Sequence, residues 1–442
     1  METFRKIFHL INGDDLYSKY KEVNHSQYLP DKELKLMQEE FLRKLLIHSF
    51  ENVPYYKNLF NECSLNPYSG DFLNQFKNLP LHTKATIREN FDSIRATNLP
   101  ESRFVKNSTS GSTGEILWFY SDKMPRIRQA LQMRCFDWMN CKVGKKHMMI
   151  LALYSQAERI RKNKVQLIKS LLKRTRILSA LHYSEDDLEN YIKEINDFSP
   201  QLLTSFPSIL YRFASYIKSK KGNILRPKAI QLTGEKLYPF QRDLIEEVFQ
   251  VKIFNFYGSR DIPMIAMECE EHNGLHIMSE NVYLEVLDTN GYPIQEGEGD
   301  LVLTDLHNYV FPFIRYKIGD RAVMGQRNCL CGRTLPILEE ITGRELDIIR
   351  FPNGKEVGGV FWPAILKSKT GIREFQVEQL ESDKIAIRFI PGNDFEEVNI
   401  NYYTDRIQEY SGNDLNISFI KVQEIERVGT SGKFKFVISR KP

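Results

Sequence analysis

The segment Ser108-Thr109-Ser110-Gly111-Ser112-Thr113-Gly114, here called the hydroxyl-rich loop, precedes a strand-like run from Ile116 to Tyr120. Five of its seven residues carry a hydroxyl group and the other two are glycines. Glycines let backbone N–H groups approach phosphate oxygens closely, and hydroxyl groups add further donors. The segment is not a Walker loop, because no Gly-Lys-Ser/Thr follows it. It predicts a phosphate-binding loop, with a flexible polar linker as the alternative.

The chain has 442 residues, enough for two or three domains of ~100–200 residues each. Hydrophobic residues make up 42% and charged residues 27%, which is typical of a globular protein and not of a fibrous or disordered one. The formal net charge of +4 is too balanced to indicate a nucleic-acid partner. One basic run, Arg159 to Arg176, is either a solvated helix face or a patch for an anionic substrate, carrier or membrane surface.

The sequence carries no signal for membrane insertion or secretion. No apolar stretch approaches the ~20 residues that a membrane span needs. The first residues, Met1-Glu-Thr-Phe-Arg-Lys6, lack the apolar region of a signal peptide. Six cysteines in so long a chain do not make a disulfide scaffold. We therefore expect a cytoplasmic protein without a transmembrane segment.

Residues 1–103 are predicted to form the helical part of a large domain. Apolar residues recur at helical spacing between Asp31 and Ser49, namely Leu34, Met37, Phe41, Leu45 and Leu46. The sequence Asn52-Val-Pro is expected to end this helix, since proline disfavours helix in the residue before it.

Residues 104–343 are predicted to form the core of the same domain, because strands and helices alternate along them. The predicted strands are Met148–Leu153, Leu202–Ser205, Ala229–Leu232 and Lys252–Tyr257, and the predicted helices are Glu185–Asn196, Ser208–Lys218 and Pro239–Phe249. This alternation indicates an α/β fold in which a mostly parallel sheet is flanked by helices on both faces. Ligands bind such sheets at the loops where strands end.

Residues 344–442 are predicted to form a small α+β domain, with the boundary at Thr342 to Glu345. The predicted strands are Asp347–Phe351, Phe375–Leu380, Lys384–Ile390, Asn416–Val422 and Phe434–Ser439, with one helix at Glu396–Tyr410. The change from alternating strands and helices to mostly strands marks this second unit.

Five further motifs follow the hydroxyl-rich loop in order: Thr233-Gly-Glu-Lys-Leu237, Tyr257-Gly-Ser-Arg-Asp261, Pro312 to Asp320, Gly343-Arg344 and Gly432-Lys433. With this ordered set the chain resembles the adenylate-forming superfamily, which contains acyl-CoA synthetases, nonribosomal-peptide adenylation domains and luciferases. The resemblance covers Ser108 to Lys435. Within the superfamily the chain is most similar to the CapK-like and phenylacetate–CoA ligase-like branch, which Val53-Pro-Tyr-Tyr and the Gly-Lys-Phe-Lys-Phe-Val-Ile-Ser segment also fit.

The resemblance implies a large domain that binds ATP and a small, mobile catalytic domain. It implies a nucleotide site made by Ser108, Thr109, Ser110, Gly111, Ser112, Thr113, Gly114, Thr233, Gly234, Glu235, Tyr257, Gly258, Ser259, Asp320 and Arg344. In such a site the Gly-Glu segment and Tyr257 hold adenine, Asp320 holds the ribose hydroxyls, and Arg344 belongs to the hinge. The catalytic residues are then Lys433, Thr113 and Asp261, and Asp261 holds Mg²⁺.

Two positions depart from the family pattern. Asp261 stands where glutamate is usual and is one methylene shorter, which puts the placement of the metal in doubt. Leu346 occupies the position of the usual hinge aspartate, and Asp347 follows it. For domain rotation, either Asp347 takes over the role of the hinge aspartate or the pivot lies elsewhere.

Six motifs in order favour an enzyme that activates a carboxylic acid. The acid attacks the α-phosphate of ATP and displaces pyrophosphate, so charge neutralisation dominates catalysis and Lys433 supplies a cation. The acyl group of the acyl-AMP then passes to a thiol or amine acceptor, such as CoA, a carrier or a sugar amine. The CapK-like resemblance implies a role in capsule or surface-polysaccharide biosynthesis. The sequence leaves a homodimer open.

Two other functions stay open. One is an adenylyltransferase that places AMP on a hydroxyl of a coenzyme or another small molecule, as a member of the same branch does. The other is a non-catalytic scaffold with a degenerate fold, against which Lys433, Asp320 and the intact hydroxyl-rich loop argue.

Two short-spaced pairs, Cys269-Glu-Glu-His272 and Cys329-Leu-Cys331, form a separate pattern. Three thiolates and one imidazole suit tetrahedral Zn²⁺, and His276 is a spare candidate for the imidazole. Four protein ligands leave no open position, so the predicted zinc is structural. Reduced thiols without a metal are the alternative.

Overall fold

The structure is a computed structural model of the whole chain. It describes residues 15–109, 117–122, 124–151, 174–180, 185–220, 222, 224–325, 329–344, 349–357, 361–366, 371–392, 395–396, 398–425 and 434–439. Several predicted features lie outside these residues: Ser110 to Gly114 of the hydroxyl-rich loop, the catalytic candidate Lys433, the hinge residues Leu346 and Asp347, and most of the basic run.

The N-terminal part is helical, as the apolar spacing predicts. Its helices are α1 (Leu16–Ser26), α2 (Asp31–Asn52), α3 (Pro54–Glu62), α4 (Phe72–Lys77) and α5 (Lys84–Glu89). Helix α2 ends at Asn52 because Val53, which precedes a proline, adopts an extended backbone. The buried Tyr56 of α3 donates a hydrogen bond to the Pro312 carbonyl at 2.9 Å. The helices therefore pack directly onto the segment that carries one of the motifs.

Half of an eleven-stranded sheet is parallel. The parallel strands, from the edge inward, are β4 (Thr175–Ser179), β3 (His147–Leu151), β5 (Leu202–Ser205), β6 (Ala229–Thr233) and β7 (Ile253–Tyr257). The helices of this region are α6 (Arg126–Trp138), α7 (Glu185–Phe198), α8 (Pro207–Lys220) and α9 (Pro239–Phe249). Leu203, Ile230 and Leu232 are completely buried, as expected for parallel strands covered on both faces.

The other half of the sheet is antiparallel. It continues from β7 through β8 (Ala266–Glu268), β9 (Leu275–Ile277), β13 (Ile337–Arg344), β12 (Tyr316–Gly325), β11 (Gly297–Asp305) and β10 (Val282–Leu287). Short connections such as the one between β8 and β9 cannot carry the crossover that parallel neighbours require. The predicted α/β class is confirmed, and the sheet is mixed because the parallel pattern of residues 147–257 does not continue beyond Tyr257.

A two-stranded hairpin carries the hydroxyl-rich loop. Strands β1 (Val105–Ser108) and β2 (Trp118–Ser121) pair in antiparallel register, with Ser108 opposite Trp118. Phe119 is completely buried in the core of the large domain, whereas half of the Trp118 side chain is exposed.

The C-terminal part forms an α+β domain with its own core. Its elements are β14 (Ile349–Arg350), β15 (Glu356–Val357), α10 (Phe361–Leu366), β16 (Ile372–Glu381), β17 (Lys384–Pro391), α11 (Val398–Ser411), β18 (Asn416–Lys421) and β19 (Val437–Ile438). Four of the strands make a sheet in the order β18-β17-β16-β19. Trp362, Phe375 and Tyr403 are completely buried in the core of this domain.

None of the helices in the described ranges is both long enough and apolar enough to span a bilayer.

Candidate active site

A cleft of about 890 Å³ lies at the carboxyl ends of β6 and β7, where the parallel half of the sheet meets the antiparallel half. This is the edge at which an open α/β sheet binds ligands. The cleft is lined by nine of the residues predicted from the sequence: Thr109, Thr233, Gly234, Glu235, Tyr257, Gly258, Ser259, Asp261 and Asp320. Four separate motifs thus meet in one place, and Gly343 of the Gly343-Arg344 motif adds a fifth.

Tyr257 and Asp320 form a pair on the wall of the cleft. The Tyr257 hydroxyl donates a hydrogen bond to Oδ2 of Asp320 at 2.7 Å. Asp320 follows Gly319, whose φ of +90° is accessible mainly to glycine. The pair places an aromatic ring next to a carboxylate that can accept hydrogen bonds from ribose hydroxyls.

Asp261 is held at the base of the cleft and is only 5% exposed. Its Oδ2 accepts a hydrogen bond from the Tyr316 hydroxyl at 3.1 Å. The turn before it is tight, because a Cβ on Gly258 would lie 3.0 Å from the Met264 backbone nitrogen. A side chain at position 258 would therefore be crowded, and the turn presents the Asp261 carboxylate to the cleft.

Hydrogen bonds join the start of the hydroxyl-rich loop to Leu117, which follows the loop, beside the cleft. The Thr109 N–H donates to the Leu117 carbonyl at 2.9 Å, and the Leu117 N–H donates to Oγ1 of Thr109 at 3.0 Å. Arg260, from the turn after β7, donates to the Ser108 carbonyl at 3.0 Å. The structure brings the start of the loop to the cleft, and the phosphate-binding role of Ser110 to Gly114 stays a prediction.

Glu235 connects the two domains. Its Oε2 accepts a hydrogen bond from the Ser208 N–H at 3.0 Å, and its Oε1 accepts one from the Phe434 N–H at 2.8 Å. Phe434 belongs to the small domain and lines the cleft with Lys435. The small domain therefore closes one side of the cleft with the residues that directly follow Lys433 in the sequence.

Several lysines line the cleft, and two of them lie within or next to the motifs without having been predicted as site residues. Lys236 donates to the Thr342 carbonyl at 2.7 Å and to Oε1 of Glu340 at 3.0 Å, which ties the Gly-Glu segment to the end of β13. Lys435 is the second. A sequence signal for Lys435 exists, since alternate residues of an extended chain share a face and Lys435 follows Lys433 by two.

Asn255 also lines the cleft and was not predicted. It lies two residues before Tyr257 on β7, so the period of the strand places both side chains on one face. Its backbone N–H donates to Oε2 of the buried Glu268 at 2.9 Å.

The cysteine pairs form a compact cluster with one histidine. Atoms from Cys269, His276, Cys329 and Cys331 all lie within 4.8 Å of one another. The Sγ atoms of Cys269 and Cys329 are 3.5 Å apart, and Cys331 Sγ is 3.4 Å from His276 Nε2. Ligands of a tetrahedral zinc are separated by roughly 3.5–3.8 Å. The two closest pairs are near that separation, and the set of three sulfur atoms and one nitrogen is compatible with zinc.

The predicted ligand His272 is replaced in this cluster by His276. His272 lies in the β8–β9 turn with a left-handed backbone, and its ring contacts Phe254 at 4.7 Å between centroids and faces Glu268. Strand β9 then runs back beside β8 and places His276 opposite Met267, close to Cys269. The short spacing of Cys269 and His272, with two residues between them, suggested His272, whereas the β8–β9 hairpin brings His276 to the cysteines.

The surroundings of the cluster favour the metal-binding forms of His276 and Cys331, whereas burial raises the pKa of the Cys269 and Cys329 thiols. His276 Nδ1 lies 3.3 Å from the Leu335 carbonyl, which leaves Nε2 facing the sulfur atoms. Burial lowers the pKa of His276 to about 4, so the imidazole is neutral at pH 7. Burial acts to raise the pKa of the Cys331 thiol, but the Arg333 N–H beside the sulfur helps to outweigh it, and the pKa is lowered.

Comparisons with known proteins agree with the motifs and the fold. Residues 350–440 match the CapK C-terminal domain. The chain is 26% identical to a phenylacetate–coenzyme A ligase of Thermus thermophilus over 73% of this chain and 72% of the relative. It is 24% identical to the protein CapK of Staphylococcus aureus over 88% of this chain and 85% of the relative.

A solved 2-hydroxyisobutyryl-CoA ligase in the postadenylation state superposes with a TM-score of 0.77, at 19% identity, over 95% of this chain and 92% of that one. The amide bond synthetase McbA of Marinactinospora thermotolerans superposes with a TM-score of 0.53, at 13% identity, over 76% of this chain and 70% of that one. In its fold and in its site motifs the chain is similar to enzymes of the adenylate-forming class. The relatives confirm the predicted resemblance to the branch of CapK and the phenylacetate–CoA ligases.

Proposed function

We propose that this enzyme uses ATP to activate a carboxylic acid as acyl-AMP, releases pyrophosphate, and transfers the acyl group to a thiol or amine acceptor. The observation that carries the proposal is the meeting of five ordered motifs and of the small domain in one cleft. CoA ligases among the relatives support a carboxylic acid as substrate and the CoA thiol as acceptor.

The cleft supplies the contacts that adenylation needs. Tyr257 offers its ring to adenine, Asp320 accepts from ribose hydroxyls, and the hydroxyl-rich loop donates to the phosphates. Attack by the carboxylate spreads negative charge over the α-phosphate oxygens, and Lys433 neutralises that charge. Lys435 and Lys236 add positive charge along the same wall.

Asp261 is the residue that would hold Mg²⁺. The ion prefers oxygen ligands, and the Asp261 carboxylate lines the cleft beside the turn that contacts the hydroxyl-rich loop. When bound with ATP, the ion neutralises phosphate charge. The shorter side chain of aspartate favours contact to the ion through water.

The Cys269, His276, Cys329 and Cys331 cluster is proposed to hold a structural zinc. The four donors complete a tetrahedral set, and a zinc with four protein ligands has no position for a substrate. The metal would join the β8–β9 hairpin to the loop between β12 and β13, below the cleft.

A role in surface-polysaccharide biosynthesis is the finer part of the proposal. It is supported by the 24% identity to CapK across most of both chains and by the CapK C-terminal match.

Pyrophosphate release with ATP and Mg²⁺, measured with and without a panel of acids, tests the proposal. The panel includes phenylacetate, 2-hydroxyisobutyrate and indoleacetate. We expect release that depends on one of the acids. Release that needs no carboxylic acid but yields AMP attached to a hydroxyl compound would establish an adenylyltransferase instead.

A further inference from the structure

We infer that Glu235 is a positioning residue that joins the small domain to the large one for the adenylation step, and that its carboxylate does not serve as an adenine ligand. The inference rests on the proposed function. It assigns Glu235 a role different from the one that its place in the Gly-Glu segment suggests.

Both carboxylate oxygens of Glu235 accept hydrogen bonds from backbone N–H groups. The first contact, from Ser208 to Oε2, lies within the large domain. Ser208 is the second residue of the 14-residue helix α8, so the carboxylate sits at the positive end of that helix. This contact fixes the orientation of the side chain.

The second contact crosses between the domains. The Phe434 N–H donates to Oε1 at 2.8 Å, a distance typical of a hydrogen bond to a charged acceptor. Consecutive Cα atoms are about 3.8 Å apart, so a fixed Phe434 backbone limits the positions open to Lys433. Glu235 therefore restrains the residue proposed to neutralise the α-phosphate without touching the nucleotide.

A second interdomain contact begins on the same helix. Arg212, four residues after Ser208, donates from Nε and Nη2 to Oε2 of Glu374 on β16, the closer at 2.5 Å. The two side chains are only 10% and 12% exposed, so solvent screens the pair weakly.

Aromatic packing reinforces the interface. The rings of Tyr238 and Phe436 lie 4.9 Å apart, and Phe436 follows Phe434 by two residues. One end of α8 and the start of α9 thus form a docking surface for the segment that follows Lys433.

The kinetic test separates positioning from ligand binding. Glu235→Gln keeps the length of the side chain, but its single carbonyl oxygen cannot serve both N–H groups, and its charge is lost. Loss of one hydrogen bond to a charged group changes an equilibrium constant by about 10- to 100-fold. With phenylacetate as probe acid, we expect kcat for ATP–pyrophosphate exchange to fall by about 10-fold in Glu235→Gln and about 100-fold in Glu235→Ala.

The same variants should leave the KM for ATP within about 3-fold of wild type. The rate of the transfer step, started from synthetic phenylacetyl-AMP and CoA, should also stay within about 3-fold of the wild-type rate. Glu247→Gln, an exposed glutamate on α9 paired with Lys218, is the matched control and should behave as wild type.

Three results would overturn the inference. A KM for ATP that rises 10-fold or more with kcat preserved would make Glu235 a nucleotide ligand. An equal loss in both half-reactions, with a lower melting temperature, would make its role structural. Unchanged kinetics in both variants would also contradict it.

A measurement independent of the acid complements the kinetics. Hydrogen exchange at the Phe434 amide should be at least about 10-fold faster in Glu235→Ala than in wild type. Equal exchange rates would contradict the contact. If the wild type shows no exchange of pyrophosphate with any acid, the proposed function fails, whereas the Phe434 amide still decides whether Glu235 joins the domains.

Discussion

The cysteine–histidine cluster and the cleft proposed to bind ATP both lie near the middle of the large sheet, but they are assembled differently. The cluster draws four donors from residues 269–331 and holds them within 4.8 Å, all in one domain. The cleft draws its walls from residues as distant as Thr109 and Lys435, on two domains. A complete donor set needs no movement and suits a structural role. A site completed by a second domain can be opened and closed, as a reaction in two steps requires.

The largest effect should come from the part of the cleft supplied by the small domain. Lys433→Ala removes the proposed cation and should lower the rate of acyl-AMP formation by about 10²- to 10³-fold while ATP binding is retained. Pyrophosphate exchange and calorimetric ATP titration measure the two quantities. Exposed Lys421 on β18 provides the control variant, Lys421→Ala. Normal turnover of Lys433→Ala would remove the lysine from the mechanism.

Removal of a ligand from the cysteine–histidine cluster should lower the zinc content and the stability of the protein. Wild-type protein should contain about one zinc per chain by metal analysis. In Cys329→Ser the zinc content should fall to a small fraction of that value and the melting temperature by about 5 °C or more. Cys63→Ser, a half-buried cysteine away from the cluster, should change neither quantity. Metal-free wild-type protein that is fully folded would contradict the zinc proposal.

The two histidines near the cluster give a sharper version of the same experiment. His276→Ala should lose the metal, because Nε2 of His276 faces Cys331. His272→Ala should keep it, because that ring contacts Phe254 and Glu268. The opposite result would restore the ligand set suggested by sequence spacing.

A smaller effect is expected from the wall of the cleft that carries Tyr257 and Asp320, which is proposed to bind ribose. Asp320→Asn weakens an acceptor and should raise the KM for ATP by about 10-fold with a smaller change in kcat. Asp383→Asn, on the exposed turn between β16 and β17, is the control. A KM within about 2-fold of wild type would argue that Asp320 serves only to hold Tyr257.

A separate prediction concerns acid stability near the cleft, where catalysis is not involved. His82 is buried, its Nδ1 lies 2.6 Å from the Ile314 carbonyl, and burial lowers its pKa from 6.5 to about 4. A pKa lower in the folded than in the unfolded chain stabilises the fold above pH 6.5. That contribution, on the order of 3 kcal/mol, is lost as the pH falls from 6.5 through 4.

Urea midpoints measured between pH 7 and pH 4 test this expectation. The decrease of the urea midpoint with falling pH should be smaller in His82→Asn than in wild type. It should be unchanged in His25→Asn, which alters an exposed histidine. Equal slopes in all three proteins would show that His82 does not contribute.

The sequence predicts the cleft better than the cluster because its residues follow strands directly. Thr233 ends β6, Tyr257 ends β7 and Asp320 lies in β12, so the α/β pattern alone places the first two at one edge. His276 was only a spare candidate, since its position depends on how the β8–β9 hairpin folds back.

Contacts between domains are beyond the reach of sequence patterns. The Gly-Glu segment identifies Glu235, but nothing in its neighbours indicates that Phe434, almost two hundred residues later, donates to its carboxylate. The antiparallel half of the sheet was also not predicted, because its pairing depends on short turns instead of a repeated strand–helix pattern.

The most direct test of acyl-AMP formation follows an oxygen atom. An accepted acid labelled with oxygen-18 in both carboxylate positions is incubated with ATP, Mg²⁺ and CoA, and the AMP is examined by mass spectrometry. If the carboxylate attacks the α-phosphate, one labelled oxygen remains on the AMP after the acyl group is transferred. AMP that carries no label, although the acyl product forms, would contradict the account.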